Sequence, residues 1–93
     1  MIVAQVIGTV VATRKHDKLV GHKIQVVQPL DPGSETPRGN PFVAVDAVGA
    51  GTGEVVVVTT GSSARLGLDT IDCPVDSTII GIIDQLEIQP WQP

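Results

Sequence analysis

Aromatic side chains are almost missing from this chain: its 93 residues include one Phe, one Trp and no Tyr. Modules that hold single-stranded nucleic acid stack bases on aromatic rings along a basic groove. Cations are scarce as well, with six Lys and Arg against ten Asp and Glu and a formal net charge of -4. That balance argues against general binding to nucleic acid or to an anionic membrane, both of which need a basic footprint. A single cysteine, Cys73, excludes an internal disulfide framework and suits a reducing interior. No apolar run approaches the ~20 residues of a membrane helix. The start, Met1 to Val6, has no basic region ahead of an apolar block, so it does not read as a signal peptide. The expectation is a soluble protein of the cytoplasm.

Motifs that carry chemistry are equally sparse. The ligand types His16, His22 and Cys73 occur without C-x-x-C, H-x-x-x-H or H-E-x-x-H spacing, so they read as loop histidines and a small semi-buried thiol. Gly49, Gly51 and Gly53 are spaced G-x-G-x-G and lead into the strand-like Val55–Val58. A dinucleotide loop needs G-x-G-x-x-G opening a helix, so a tight turn is the better account. In Gly61-Ser62-Ser63-Ala64-Arg65, arginine stands where a hydrolase elbow requires its second glycine. No catalytic, cofactor or metal site is expected, and the chain does not read as an enzyme.

What the chain does hold is aliphatic and β-branched: fifteen Val, nine Ile and five Leu. Such residues pack well on a pleated surface. Five strands are predicted, at Ile2–Thr13, His22–Leu30, Phe42–Val48, Glu54–Thr60 and Ile79–Ile88. In the first, the even positions from Ile2 to Ala12 form the buried face, and Gly8 marks a bulge or bend. In the second, Ile24 and Val26 share one face while Lys23 and Gln25 share the other. In the last, Ile80, Ile82, Leu86 and Ile88 are in phase. Arg14–Gly21 and the Pro- and Gly-rich Asp31–Pro41 read as loops. Ser62 or Ser63, and Asp76 or Ser77, are candidate caps of short helical turns. The fold class is therefore all-β, a small barrel or sandwich in one domain over 1–93, with 89–93 as a tail. So small a domain buries its apolar surface incompletely, and the surplus suits a subunit interface.

Asp46 interrupts the apolar Val43–Val48, where a buried charge is costly unless paired. Arg65 offers a planar fork of donors for a carboxylate, so an ion pair within or between chains is one reading. A water-facing Asp46 is the other. Arg14-Lys15-His16-Asp17-Lys18 is the one basic cluster and reads as a solvated tip.

In combination these blocks resemble the EutN/CcmL family of bacterial microcompartment vertex proteins. The similarity runs from Gly8–Lys15 through Leu19–Ile24 and Val26–Pro29, is densest at Val43–Val56, and resumes at Gly61–Arg65, Pro74–Asp76 and Ile82–Asp84. It implies a five-stranded OB-like barrel with one or two short helical turns. It also implies a cyclic homopentamer at shell vertices, although hexameric rings are known in the family. The implied partners are further copies of the chain and the hexameric and trimeric shell proteins. Under that resemblance Asp46, Gly49, Gly51, Gly53, Glu54 and Arg65 are expected at the subunit interface. Gly61, Ser62 and Ser63 are expected at the central pore, and Arg14, Lys15 and Lys18 in a loop facing other shell proteins. The competing expectation is a nucleic-acid or small-ligand module on the same barrel.

Overall fold

The β-branched runs form strands. A computed structural model describes residues 1–12, 15, 17–61, 64 and 75–89, with Lys18 by its backbone only. The strands are β1 (Ile2–Val10), β2 (Lys23–Pro29), β3 (Phe42–Asp46), β4 (Val55–Thr60) and β5 (Ser77–Ile82). They close into a barrel in the order β1-β2-β3-β5-β4, as in the Greek-key barrels of the oligonucleotide-binding fold. Every neighbouring pair is antiparallel except β3 and β5, which run parallel and share only two positions, Val45 with Thr78 and Asp46 with Ile79.

Partner length explains why several strands are shorter than their apolar runs. β1 stops at Val10 because its partner there, Ile24, is one residue from the start of β2. β5 stops at Ile82, well before Ile88, because β4 begins at Val55 and offers one last carbonyl, which accepts from the Ile83 N–H at 2.8 Å. β5 begins earlier than predicted, at Ser77, where it meets Thr60 of β4 and the end of β3. Ser77 is therefore in a strand and caps no helical turn. A 3-10 turn lies instead at Asp17–Leu19, within the stretch predicted to be loop. Ser62, Ser63 and Cys73 lie outside the described residues.

The bend at Gly8 is real, and it changes the face of the strand. Val6 pairs with Val27 and Gly8 with Val26, leaving Ile7 as the extra residue of a bulge. Beyond it Thr9 stands opposite Gln25, so the even-numbered inner face ends at Val6. A second irregularity between Val57 and Val58 shifts the register of β4 on β5. It leaves Ile80 as the extra residue, so Ile79, opposite Val58, is fully buried, whereas Ile82, opposite Val56 at the end of the strand, is 37% exposed.

Ala4, Val6, Val27, Ala44, Val56, Val58 and Ile79 fill the barrel, with Ala50 from the β3–β4 connection and Ile2 and Phe42 packed at its margin. A smaller cluster of Val45 and Val75, flanked by Leu19 and Ile24, lies apart from it. The Asp31–Pro41 excursion is better ordered than its composition suggests. Leu30 bridges to Pro37, the Asp31 carboxylate accepts from Gly33 N–H, and Gln28 donates to the Gly39 carbonyl.

Candidate assembly site

The glycine-rich connection between β3 and β4 is held to the barrel by side chains on three strands. Asp46 ends β3 and is only 7% exposed, so its carboxylate needs donors and finds them in the turn it precedes. Oδ1 accepts from Val48 N–H and Gly49 N–H at 2.9 Å, and Oδ2 from Ala50 N–H at 2.7 Å. These bonds divert the Val48 N–H, which the predicted strand would have spent on a ladder, and turn the chain away at Gly49, which is why β3 ends at Asp46 and not at Val48. Asp46 is buried, and the water-facing alternative does not hold.

Glu54 braces the other half: its Oε1 accepts from Gly51 N–H at 2.6 Å, and its own N–H donates to the Gly51 carbonyl at 3.1 Å. β1 holds the exit, because Gly53 N–H donates to the Val6 carbonyl and Val6 N–H to the Glu54 carbonyl. Gln5 Nε2 also donates to the Gly53 carbonyl. The backbone of Gly49 is at φ +80° and that of Gly53 at φ +93°, a region side chains with a Cβ rarely adopt. Gly51 differs: a Cβ there would meet the Glu54 carboxylate oxygen at 3.3 Å, the movable end of a side chain. Gly53→Ala is therefore expected to cost about 1–3 kcal/mol, and Gly51→Ala under about 1 kcal/mol. Urea midpoints of the two variants check that order.

The turn presents Ala47, Val48, Gly49, Thr52, Gly53 and Glu54 to solvent while Ala50 is buried beneath them. It is a rigid knob on one end of the barrel. The structure thus brings Asp46, Gly49, Gly51, Gly53 and Glu54 into one feature. Gly61 lies elsewhere, after β4, at φ +72° with its N–H bonded to the Asp76 carbonyl at 2.8 Å. Lys15 is exposed and its Nζ reaches the carbonyl of His22, which is half-buried before β2. Arg14, His16, Arg65, Ser62 and Ser63 lie outside the described residues, as does the side chain of Lys18.

Two residues that sequence reading passed over matter here. Gln25, read as sharing a face with Lys23, is fully buried: its Oε1 accepts from Thr9 Oγ1 at 2.7 Å, and its Nε2 donates to the Ala50 carbonyl at 2.8 Å and to Asp46 Oδ2 at 3.4 Å. Thr78, also fully buried, donates from its hydroxyl to the Ala64 carbonyl at 2.7 Å. Among the described residues no buried side-chain polar atom lacks a partner, and no cluster of His, Cys, Asp or Glu is arranged to hold a metal.

A family model described as "Ethanolamine utilisation protein EutN/carboxysome" matches residues 1–84. The chain belongs to the EutN/CcmL family. Relatives within it include the bacterial microcompartment shell vertex protein GrpN of Rhodospirillum rubrum (strain F11), 44% identical over 94% of this chain and 97% of the relative. The shell vertex protein EutN of Escherichia coli (strain K12) is 42% identical over 92% of this chain and 90% of its own length. Among solved structures, the GrpN pentameric microcompartment shell protein from Rhodospirillum rubrum superposes with a TM-score of 0.84 at 43% identity. That superposition covers 96% of this chain and 100% of the other. The EutN/CcmL barrel expected from the sequence is thus the barrel observed.

Proposed function

We propose that five copies of this chain close into a ring that caps a vertex of a bacterial microcompartment shell, as a structural part and not as a catalyst. The observation that carries this reading is similarity over nearly the whole chain to relatives named as shell vertex proteins and to a solved pentameric shell protein. A head-to-tail interface closes into a ring when its rotation divides the full turn evenly. Sixfold tiles alone make flat sheets, and fivefold units supply the curvature that closes a shell. The partners are then further copies of this chain and the hexameric and trimeric tiles around it, in a shell within the bacterial cytoplasm. The whole of 1–93 acts as one vertex domain, with 89–93 as a tail. In this arrangement the braced Gly49–Glu54 turn, with Asp46 behind it, meets the neighbouring copy, and Arg65 takes part in that joint. Gly61, Ser62 and Ser63 surround the axis, and Arg14, Lys15 and Lys18 face adjoining tiles.

The rigid knob supports this reading, because a contact repeated around a ring benefits from a surface that is already ordered. The nucleic-acid alternative finds no such support: Phe42, one of the two aromatic residues, is half-buried and packed against the core, where it does not form a stacking platform with a basic groove. Native mass spectrometry of the full chain tests the proposal. The expected species is five times the 9.7 kDa protomer, and Arg65→Glu is expected to give soluble protomers. A monomeric wild type would overturn the vertex reading; an unchanged ring in the variant would remove Arg65 from the joint.

A further inference from the structure

Gln25 occupies a place where an aliphatic side chain would serve packing as well. It is fully buried within a barrel otherwise filled by Val, Ala and Ile. A polar group there is tolerated only because each of its atoms is bonded, and the partners are specific. Both donor contacts lead to the β3–β4 turn, to the Ala50 carbonyl and the Asp46 carboxylate, while the acceptor contact leads to Thr9 across the bulge in β1. Asp46 already accepts three N–H groups of that turn. Gln25 is thus the group that fixes the carboxylate and the backbone it grips in one orientation relative to the barrel wall.

We infer that Gln25 is a positioning residue for assembly: it presets the angle at which the knob, with Val48, Gly49, Thr52 and Gly53 at its surface, meets a second copy of this chain. The inference rests on the reading that the turn joins neighbouring protomers. A ring repeats one joint around its axis, so any spread in the angle of that joint accumulates, and closure at a single ring order requires the spread to be narrow. An aliphatic residue at position 25 would preserve the barrel and release the turn. Burial of the Ala50 carbonyl and the Asp46 carboxylate without the amide would then let both settle differently in different copies.

The test compares Gln25→Met, similar in length but without the amide, with Val58→Ala, a core truncation in β4 that leaves every contact of the turn in place. Both full-length variants are followed by thermal unfolding, by native mass spectrometry across a dilution series, and by hydrogen exchange at the amides of Val48, Gly49 and Ala50. Gln25→Met is expected to speed exchange at those three amides by about tenfold or more and to need about tenfold more protein for half-assembly, with ring orders spread beyond the wild type's. Val58→Ala is expected to lose at least as much thermal stability while keeping the wild-type ring order and slow exchange in the turn. Wild-type rings and exchange in Gln25→Met would overturn the inference, as would ring loss that simply follows thermal stability in both variants. A wild type that forms no ring would instead refute the vertex reading, and the inference would fall with it as a statement about assembly.

Discussion

Replacing Asp46 with Ala is expected to cost the protomer about 2–4 kcal/mol, far more than the loss of an exposed carboxylate. Three backbone N–H groups and the Gln25 amide lose their acceptor together, and the Ala50 N–H is buried where water does not replace it. Hydrogen bonds to a charged acceptor contribute about 1.5–3 kcal/mol each, and a buried donor left unsatisfied costs about 1–3 kcal/mol. The lower total allows the Val48 and Gly49 N–H groups, which are only partly buried, to turn to water. For a domain of this size the corresponding fall in Tm is about 10–25 °C. The measurement belongs at protein concentrations low enough to dissolve the ring, since assembly would otherwise raise the apparent stability. Asp46→Asn keeps one accepting oxygen and is expected to lose roughly half as much. Equal losses in the two variants, or none in either, would show that the carboxylate does not hold the turn.

The second large effect is expected at Ile79, and it separates two readings of β5. Ile79 is among the largest fully buried side chains and packs in the barrel with Val58 opposite. Truncation to Ala removes three buried carbons and leaves a cavity that the barrel wall fills only in part, for a cost of about 2–5 kcal/mol. Ile82→Ala, at a residue 37% exposed, is expected to cost under about 1.5 kcal/mol. The phase read from the sequence, which groups Ile80 with Ile82 and leaves Ile79 off that apolar series, would give the opposite order. Denaturant unfolding of the two variants decides between them.

That reversal shows where the sequence was legible and where it stopped. Five strands in an all-β barrel or sandwich follow from β-branched runs broken by Gly- and Pro-rich connections, and the resemblance to the EutN/CcmL family, which implied the barrel, holds over residues 1–84. Gly8 signalled the bulge, but not that the bulge would flip the faces after Val6, because a period-2 pattern contains no term for an inserted residue. Gln25 was placed with Lys23 and opposite Ile24 and Val26, but the pattern did not say that its face is the inner one. Lys23-Ile24-Gln25-Val26-Val27 mixes polar and apolar residues on both faces, and only pairing with Thr9 shows which side is inside. Strand ends were overrun where apolar residues continue past the last partner, as from Ile83 to Ile88. Asp46 was legible as an anomaly, a charge in an apolar run; its solution, a carboxylate gripping its own turn, depends on backbone geometry that residue types do not encode.

The two-position contact between β3 and β5 also bears on where the barrel can open. Asp46, which grips the knob, sits on one rung of that contact, and Thr78, which holds Ala64, sits on the adjacent one. It is the shortest pairing in the barrel, so the wall is joined there by fewer ladder positions than at any other pair of strands. The seam is thus where opening of the barrel wall is expected to begin.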